Sequence, residues 1–190
     1  MRVIFVDGSQ LVGKSTLVEG LSSKYGIECY KFPFSEYTSS LNLSSKEELR
    51  GFQAGKDLSA LYWLKQLSDC NKTILVDRGP LSTAYYSLAL DRMSSYQTEK
   101  FIEEVSKLSE NFTYIFITAK NSPENLKRNK KDGFDGLKDV ECKPGVFSFL
   151  KHLSNKFNLD FHHFENDFST SVEENVDRFY NLINFNGEEL

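Results

Sequence analysis

The run Gly8-Ser9-Gln10-Leu11-Val12-Gly13-Lys14-Ser15-Thr16 carries the densest chemistry in the chain. It satisfies G-x-x-x-x-G-K-[ST] at every defined position, between the apolar run Val3-Ile4-Phe5-Val6 and a helical pattern opening at Lys14. A loop of this kind binds the phosphates of a nucleoside triphosphate. Gly8 and Gly13 let the backbone curl so that its N–H groups point at phosphate oxygens. The dipole of the following helix favours anions at the same place. Lys14 would reach the β- and γ-phosphates of ATP, and the Ser15 hydroxyl would ligate Mg²⁺. Ser9, Gln10 and Thr16 complete the expected ATP-binding set.

Three further groups suit the same chemistry. Thr73-Ile74-Leu75-Val76-Asp77 is an apolar run ending in an acid, the shape of a strand whose Asp helps to hold Mg²⁺. Arg78 follows at once, and the turn residues Gly79 and Pro80 would aim its guanidinium into a cleft, where it suits a phosphoryl oxygen. Lys127-Arg128-Asn129-Lys130-Lys131 is a basic cluster before the Gly-containing stretch Asp132-Gly133-Phe134-Asp135-Gly136. It reads either as a lid closing over the triphosphate, with Arg128 as its ligand, or as a solvated helix end. Asp7, just before the phosphate loop, either acts on the acceptor side of the cleft or caps the turn through the loop's N–H groups. Phosphoryl transfer needs placement and charge neutralisation more than covalent help. Lys14, Arg78, Arg128 and Asp7 are therefore the candidate catalytic residues, with Ser15 and Asp77 as candidate metal ligands.

These groups need elements to position them. A length of 190 residues suits one α/β domain over 1–190 with a sizeable core. The net charge of −4 gives no sign of a nucleic-acid partner. Cys29, Cys70 and Cys142 are scattered, odd in number and without metal-site spacing, which points to a reducing cytoplasm. The apolar run near Met1 is too short for a signal-peptide core or a membrane span, so no membrane partner is expected. Strand-like runs fall at 3–6, 27–32, 73–76, 114–118 and 159–164. Helical patterns fall near 14–25, 46–69, 82–91, 98–110, 123–131, 145–157 and 172–184. This alternation predicts a five-stranded parallel sheet with helices on both faces. Ligand contacts should cluster at the carboxyl ends of the strands.

Several segments, in order, resemble the thymidylate kinase family of nucleoside monophosphate kinases. Asp77-Arg78-Gly79-Pro80-Leu81-Ser82-Thr83 is similar to that family's D-R-x-x-x-S segment. Phe52-Gln53-Ala54-Gly55-Lys56 is similar to its F-x-A-x-R, and Phe32-Pro33 to the F-P that ends its second strand. Pro123-Glu124, with Leu126 and Arg128, is similar to the approach to its lid, placed here at about 123–144. The resemblance implies a P-loop NTPase fold and Mg²⁺-dependent transfer of the ATP γ-phosphate to a deoxynucleoside monophosphate, dTMP first. It also implies a homodimer. Phe52 would stack on the base, Lys56 and Arg78 would meet the monophosphate, and Phe32 and Tyr86 would line the pocket. Phe52 otherwise reads as a core residue of its helix.

The acceptor half departs from the family pattern. Gln10 stands where an acid is usual, and Phe34 and Ser35 replace an acid and an Arg. Lys56 replaces an Arg, and Tyr86-Ser87 replaces Tyr-Gln. Two alternatives therefore stay open. One is a deoxynucleoside kinase, which carries E-R-S where Asp77-Arg78-Gly79 stands and usually an acid after its second strand; Phe34 in that place argues against it, though Glu36 lies close by. The other is a nucleotide-binding protein without efficient turnover. A GTPase-type switch lacks its D-x-x-G. His152, His162 and His163 show no ligand spacing and read as structural.

Overall fold

The computed structural model describes residues 2–9, 12–31, 46–66, 73–109, 111–120 and 144–185. Five strands, β1 (Arg2–Gly8), β2 (Glu28–Lys31), β3 (Thr73–Asp77), β4 (Phe112–Ala119) and β5 (Asp160–Asn166), pair in the order β2-β3-β1-β4-β5. Every pairing is parallel. Helices α1 (Lys14–Tyr25), α2 (Lys46–Gln66), α3 (Pro80–Ala89), α4 (Ser95–Leu108), α5 (Pro144–Lys156) and α6 (Val172–Phe185) lie between and after the strands.

Strand alternation sorts the apolar side chains to two faces. Val3 and Phe5 join Val76, Phe112, Tyr114 and Phe116 in a core closed by α2, α3, α4 and α5. Ile4 and Val6 join Leu75, Ile115 and Ile117 beneath α1 and α6. Both faces of β1 are thus covered, which is why its sequence reads as an unbroken apolar run. The chain order turns back at β1, so the crevice at the carboxyl ends of β1 and β3 is the place where such sheets bind ligands.

Two helix starts differ from the pattern in the sequence. α3 begins at Pro80, two residues earlier than the apolar spacing indicates, because proline is pre-set for the first helical turn. α4 begins at Ser95, where Ser94 and Gln97 form a reciprocal capping box: the Gln97 N–H donates to Ser94 Oγ and the Ser94 N–H to Gln97 Oε1. Gln10, Phe32, the expected helix at 123–131, Arg128 and most of the expected lid lie outside the described residues. No helix among the described residues is long and apolar enough to cross a membrane.

Candidate active site

The phosphate loop joins β1 to α1 through two glycines in backbone conformations that favour glycine, φ 141° at Gly8 and 85° at Gly13. A Cβ on Gly8 would collide with the Ile117 carbonyl of β4, and one on Gly13 would meet the Asn166 amide. Asn166, at the end of β5, donates its amide N–H to the Val12 carbonyl at 2.9 Å and so straps the loop to the sheet. Lys14 opens α1, and its ammonium donates to the carbonyls of Gly8, at 3.0 Å, and Ser9. Burial, and then the charge of Arg78, lower its pKa to about 8. Ser9 is buried, and Ser15 and Thr16 are half-buried on the first turn of α1.

Ser15 and Asp77 come together as the spacing of the two motifs requires. The Ser15 hydroxyl donates to Asp77 Oδ2 at 3.0 Å, and Lys31 Nζ lies 4.0 Å from the same oxygen. Asp77 Oδ1 is buried and makes no hydrogen bond within the described residues. A hydroxyl and a carboxylate oxygen with spare accepting capacity fit Mg²⁺, which takes few protein ligands and completes its shell with phosphate and water. No group of three or more His, Cys, Asp or Glu that could hold a metal ion occurs among the described residues. Held there, Mg²⁺ would supply neutralising charge to phosphate oxygens.

Asp7 takes the turn-capping role, on a turn other than the phosphate loop. It is fully buried at the end of β1, and its Oδ1 accepts the backbone N–H groups of Gly79 and Ser82, each at 2.8 Å. Burial pushes its pKa up to about 6 against the bonds from Ser82 and Gly79, with Asp57 adding a smaller upward push. The folded state therefore binds this proton more tightly than the unfolded chain. The corresponding stabilisation is full below the unfolded value of 3.8 and is lost as pH rises through about 6. Asp7→Asn keeps the accepting oxygen and removes the buried charge. It is expected to raise Tm at pH 8, with a ceiling of about 3 kcal/mol from the size of the shift. Thermal unfolding of the two proteins at pH 4 and pH 8 checks this, and a lower Tm for the variant at pH 8 would contradict it.

Arg78 is exposed and holds φ 74°, a left-handed conformation uncommon for a residue with a Cβ. Its N–H donates to the Val6 carbonyl at 3.0 Å. Its charge bears on both Lys14 and Tyr86.

Beside the turn lies a cavity of about 710 Å³ between α2, β2 and β3. Phe52, Lys56 and Arg78 all line it, so the structure brings together three of the residues expected at the acceptor. Tyr86 is not among its lining residues; it packs edge-on against Tyr85, with its hydroxyl buried. Tyr30 and Asp57 line the cavity as well. Lys56 Nζ pairs with Asp57 Oδ1 at 2.8 Å, with side-chain exposures of 17% and 4%. Burial raises the Asp57 pKa, and Lys56 opposes that rise. Sequence reasoning missed Asp57. The signal was an acid inside the apolar helical stripe Ala54–Leu58–Leu61, an inward position where an acid needs a reason. His162 and His163 bond to Asp160 and Thr118, as structural histidines do.

The chain matches no protein-family model, and no curated protein matches it. Solved structures do resemble it. Deoxyadenosine kinase from M. mycoides with bound dATP shares 21% identity over 96% of this chain and 99% of that one, with a TM-score of 0.60. NadR in complex with NR shares 17% identity over all of this chain and 53% of that one, with a TM-score of 0.62. YorR from Bacillus subtilis, in complex with phosphorylated GDP, shares 18% identity over 99% of both chains, with a TM-score of 0.53. At these identities the likeness concerns the fold, and that fold is the α/β P-loop kinase fold, a five-stranded parallel sheet covered by helices.

Proposed function

We propose that this chain is a Mg²⁺-dependent phosphotransferase that moves the γ-phosphoryl group of ATP to a deoxynucleoside. The observation that carries this reading is the end of β3, where Asp77 bonds Ser15 of the phosphate loop and the next residue, Arg78, lines the cavity. Lys14 and the Ser15–Asp77 pair would meet the phosphates, and the cavity lined by Phe52 and Arg78 would take the acceptor. Arg128, in the expected lid, is proposed as a further cation for the transferring group.

The Lys56–Asp57 pair favours a neutral nucleoside over a monophosphate. Lys56 is the cation expected to hold a monophosphate dianion, and a buried carboxylate already neutralises it at 2.8 Å. A phosphate dianion beside the Asp57 carboxylate would meet repulsion. The similar deoxyadenosine kinase is described with dATP, with dCTP, and with the products dCMP and dCDP, which supports the deoxynucleoside class. A second reading, a deoxynucleoside monophosphate acceptor with dTMP first, is favoured by the exposed guanidinium of Arg78 and by the platform of Phe52.

ADP release measured across deoxynucleosides and their monophosphates separates the two. The nucleoside reading expects kcat/KM for the best nucleoside to exceed that of its monophosphate by about tenfold or more. The reverse order would install the monophosphate reading. Asp57→Asn removes the carboxylate charge beside Lys56, so it is expected to raise kcat/KM for monophosphates by about fivefold or more. No gain would remove the pair as the determinant of acceptor charge.

A further inference from the structure

We infer that Asp7 is a positioning residue: its carboxylate oxygen fixes the turn that presents Arg78 to the transferring phosphoryl group. The task given to Arg78 rests on the phosphotransfer reading; the contacts of Asp7 do not.

Four hydrogen bonds tie the end of β1 to the turn after β3. Asp7 Oδ1 accepts from the N–H groups of Gly79 and Ser82 at 2.8 Å each. The Arg78 N–H donates to the Val6 carbonyl at 3.0 Å, and the Gly8 N–H donates to Ser82 Oγ at 3.3 Å. The last bond joins the first glycine of the phosphate loop to the same turn. Gly79 packs so closely on the Phe5 ring that a Cβ there would collide with it. Arg78 adopts φ 74° inside this network, a conformation that persists where surrounding contacts over-determine it. Asp57 from α2 bears on Asp7, and Lys14 from α1 feels the charges of Asp7, Asp77 and Arg78. Asp7 is fully buried and its Oδ1 is committed to two backbone donors, which suits it to holding backbone. Its Oδ2 is buried with no hydrogen bond among the described residues, so a proton-accepting role is the alternative the test must separate. Asparagine at this position would keep the accepting oxygen and lose the charge, whereas alanine would lose both.

The test compares Asp7→Ala and Asp7→Asn by amide hydrogen exchange and by steady-state kinetics. In Asp7→Ala, exchange at Gly79 and Ser82 is expected to accelerate about tenfold or more while core amides of β3 and β4 keep their rates. Its kcat is expected to fall about 30-fold or more, with KM for ATP changed by less than about threefold. Asp7→Asn is expected to restore turn protection and to hold kcat within about threefold of wild type. An Asp7→Asn as inactive as Asp7→Ala, with its turn protected, would make Asp7 a proton acceptor and overturn the inference. Unchanged exchange at Gly79 and Ser82 in Asp7→Ala would overturn it too, as would a parallel loss of ATP binding and global stability. If Asp7→Ala does not fold, the Asp7→Asn result decides alone. The exchange readout needs no turnover, so failure of the phosphotransfer reading would leave the turn-fixing claim separately measured.

Discussion

Lys14→Ala is expected to lower kcat by about 10³-fold while leaving the fold intact. The ammonium is the one side-chain cation that the phosphate loop itself carries, and it sits 3.0 Å from the Gly8 carbonyl at the loop's mouth. Charge spreads over the phosphoryl oxygens in the transition state, and a fixed cation in a site of low water content stabilises it more than it stabilises the ground state. The ammonium itself contributes no apolar contact to either core, so truncation leaves Leu17, Val18 and Leu21 of α1 in place. Circular dichroism and Tm check the fold, and single-turnover kinetics check the rate. A variant within a few-fold of wild type would remove Lys14 from the reaction. The same residue predicts a pH dependence. With a pKa of about 8, the free enzyme loses this charge as pH rises through that value, so ATP affinity weakens on the alkaline side. Titration of ATP binding from pH 7 to 9 reads this directly.

Asp77→Asn is expected to lower kcat by about 10²-fold and to raise the Mg²⁺ concentration required for half-maximal rate by about tenfold. The carboxylate receives the Ser15 hydroxyl at 3.0 Å and keeps a second oxygen buried without a hydrogen bond in the described residues. Asparagine preserves the shape and the bond from Ser15 but lowers the negative charge that a divalent cation needs. Wild-type activity should vanish in EDTA and return with added Mg²⁺. Activity that survives EDTA would contradict the assignment of Ser15 and Asp77.

The donor half of the site was legible because its residues act through local spacing. Gly8, Gly13, Lys14 and Ser15 lie in one loop, and Asp77 ends an apolar strand, so motif and element coincide. The sheet was legible for the same reason: Val3–Val6 and Thr73–Val76 are runs that only a strand buried on both faces would carry. The Lys56–Asp57 pair was not legible as a pair. Neighbouring residues on a helix point in different directions, so their ion pair depends on the long Lys56 side chain reaching back over the helix. The grip of Asp7 on the Arg78 turn was out of reach because it spans 72 residues to Gly79 and 75 to Ser82, and parallel pairing of β1 with β3 creates it. Tyr86 was expected in the pocket from the family resemblance. Its ring instead packs edge-on against Tyr85, and it is not among the residues lining the cavity.

Phosphorus-31 NMR of a reaction containing the protein, Mg²⁺, ATP and a single deoxynucleoside tests the central claim most directly. The account predicts that the γ-phosphate resonance of ATP declines as a phosphomonoester resonance of a nucleoside 5′-monophosphate and the two resonances of ADP grow in equal amounts. Loss of the γ-phosphate to inorganic phosphate alone, unchanged by any nucleoside or monophosphate acceptor, would contradict it.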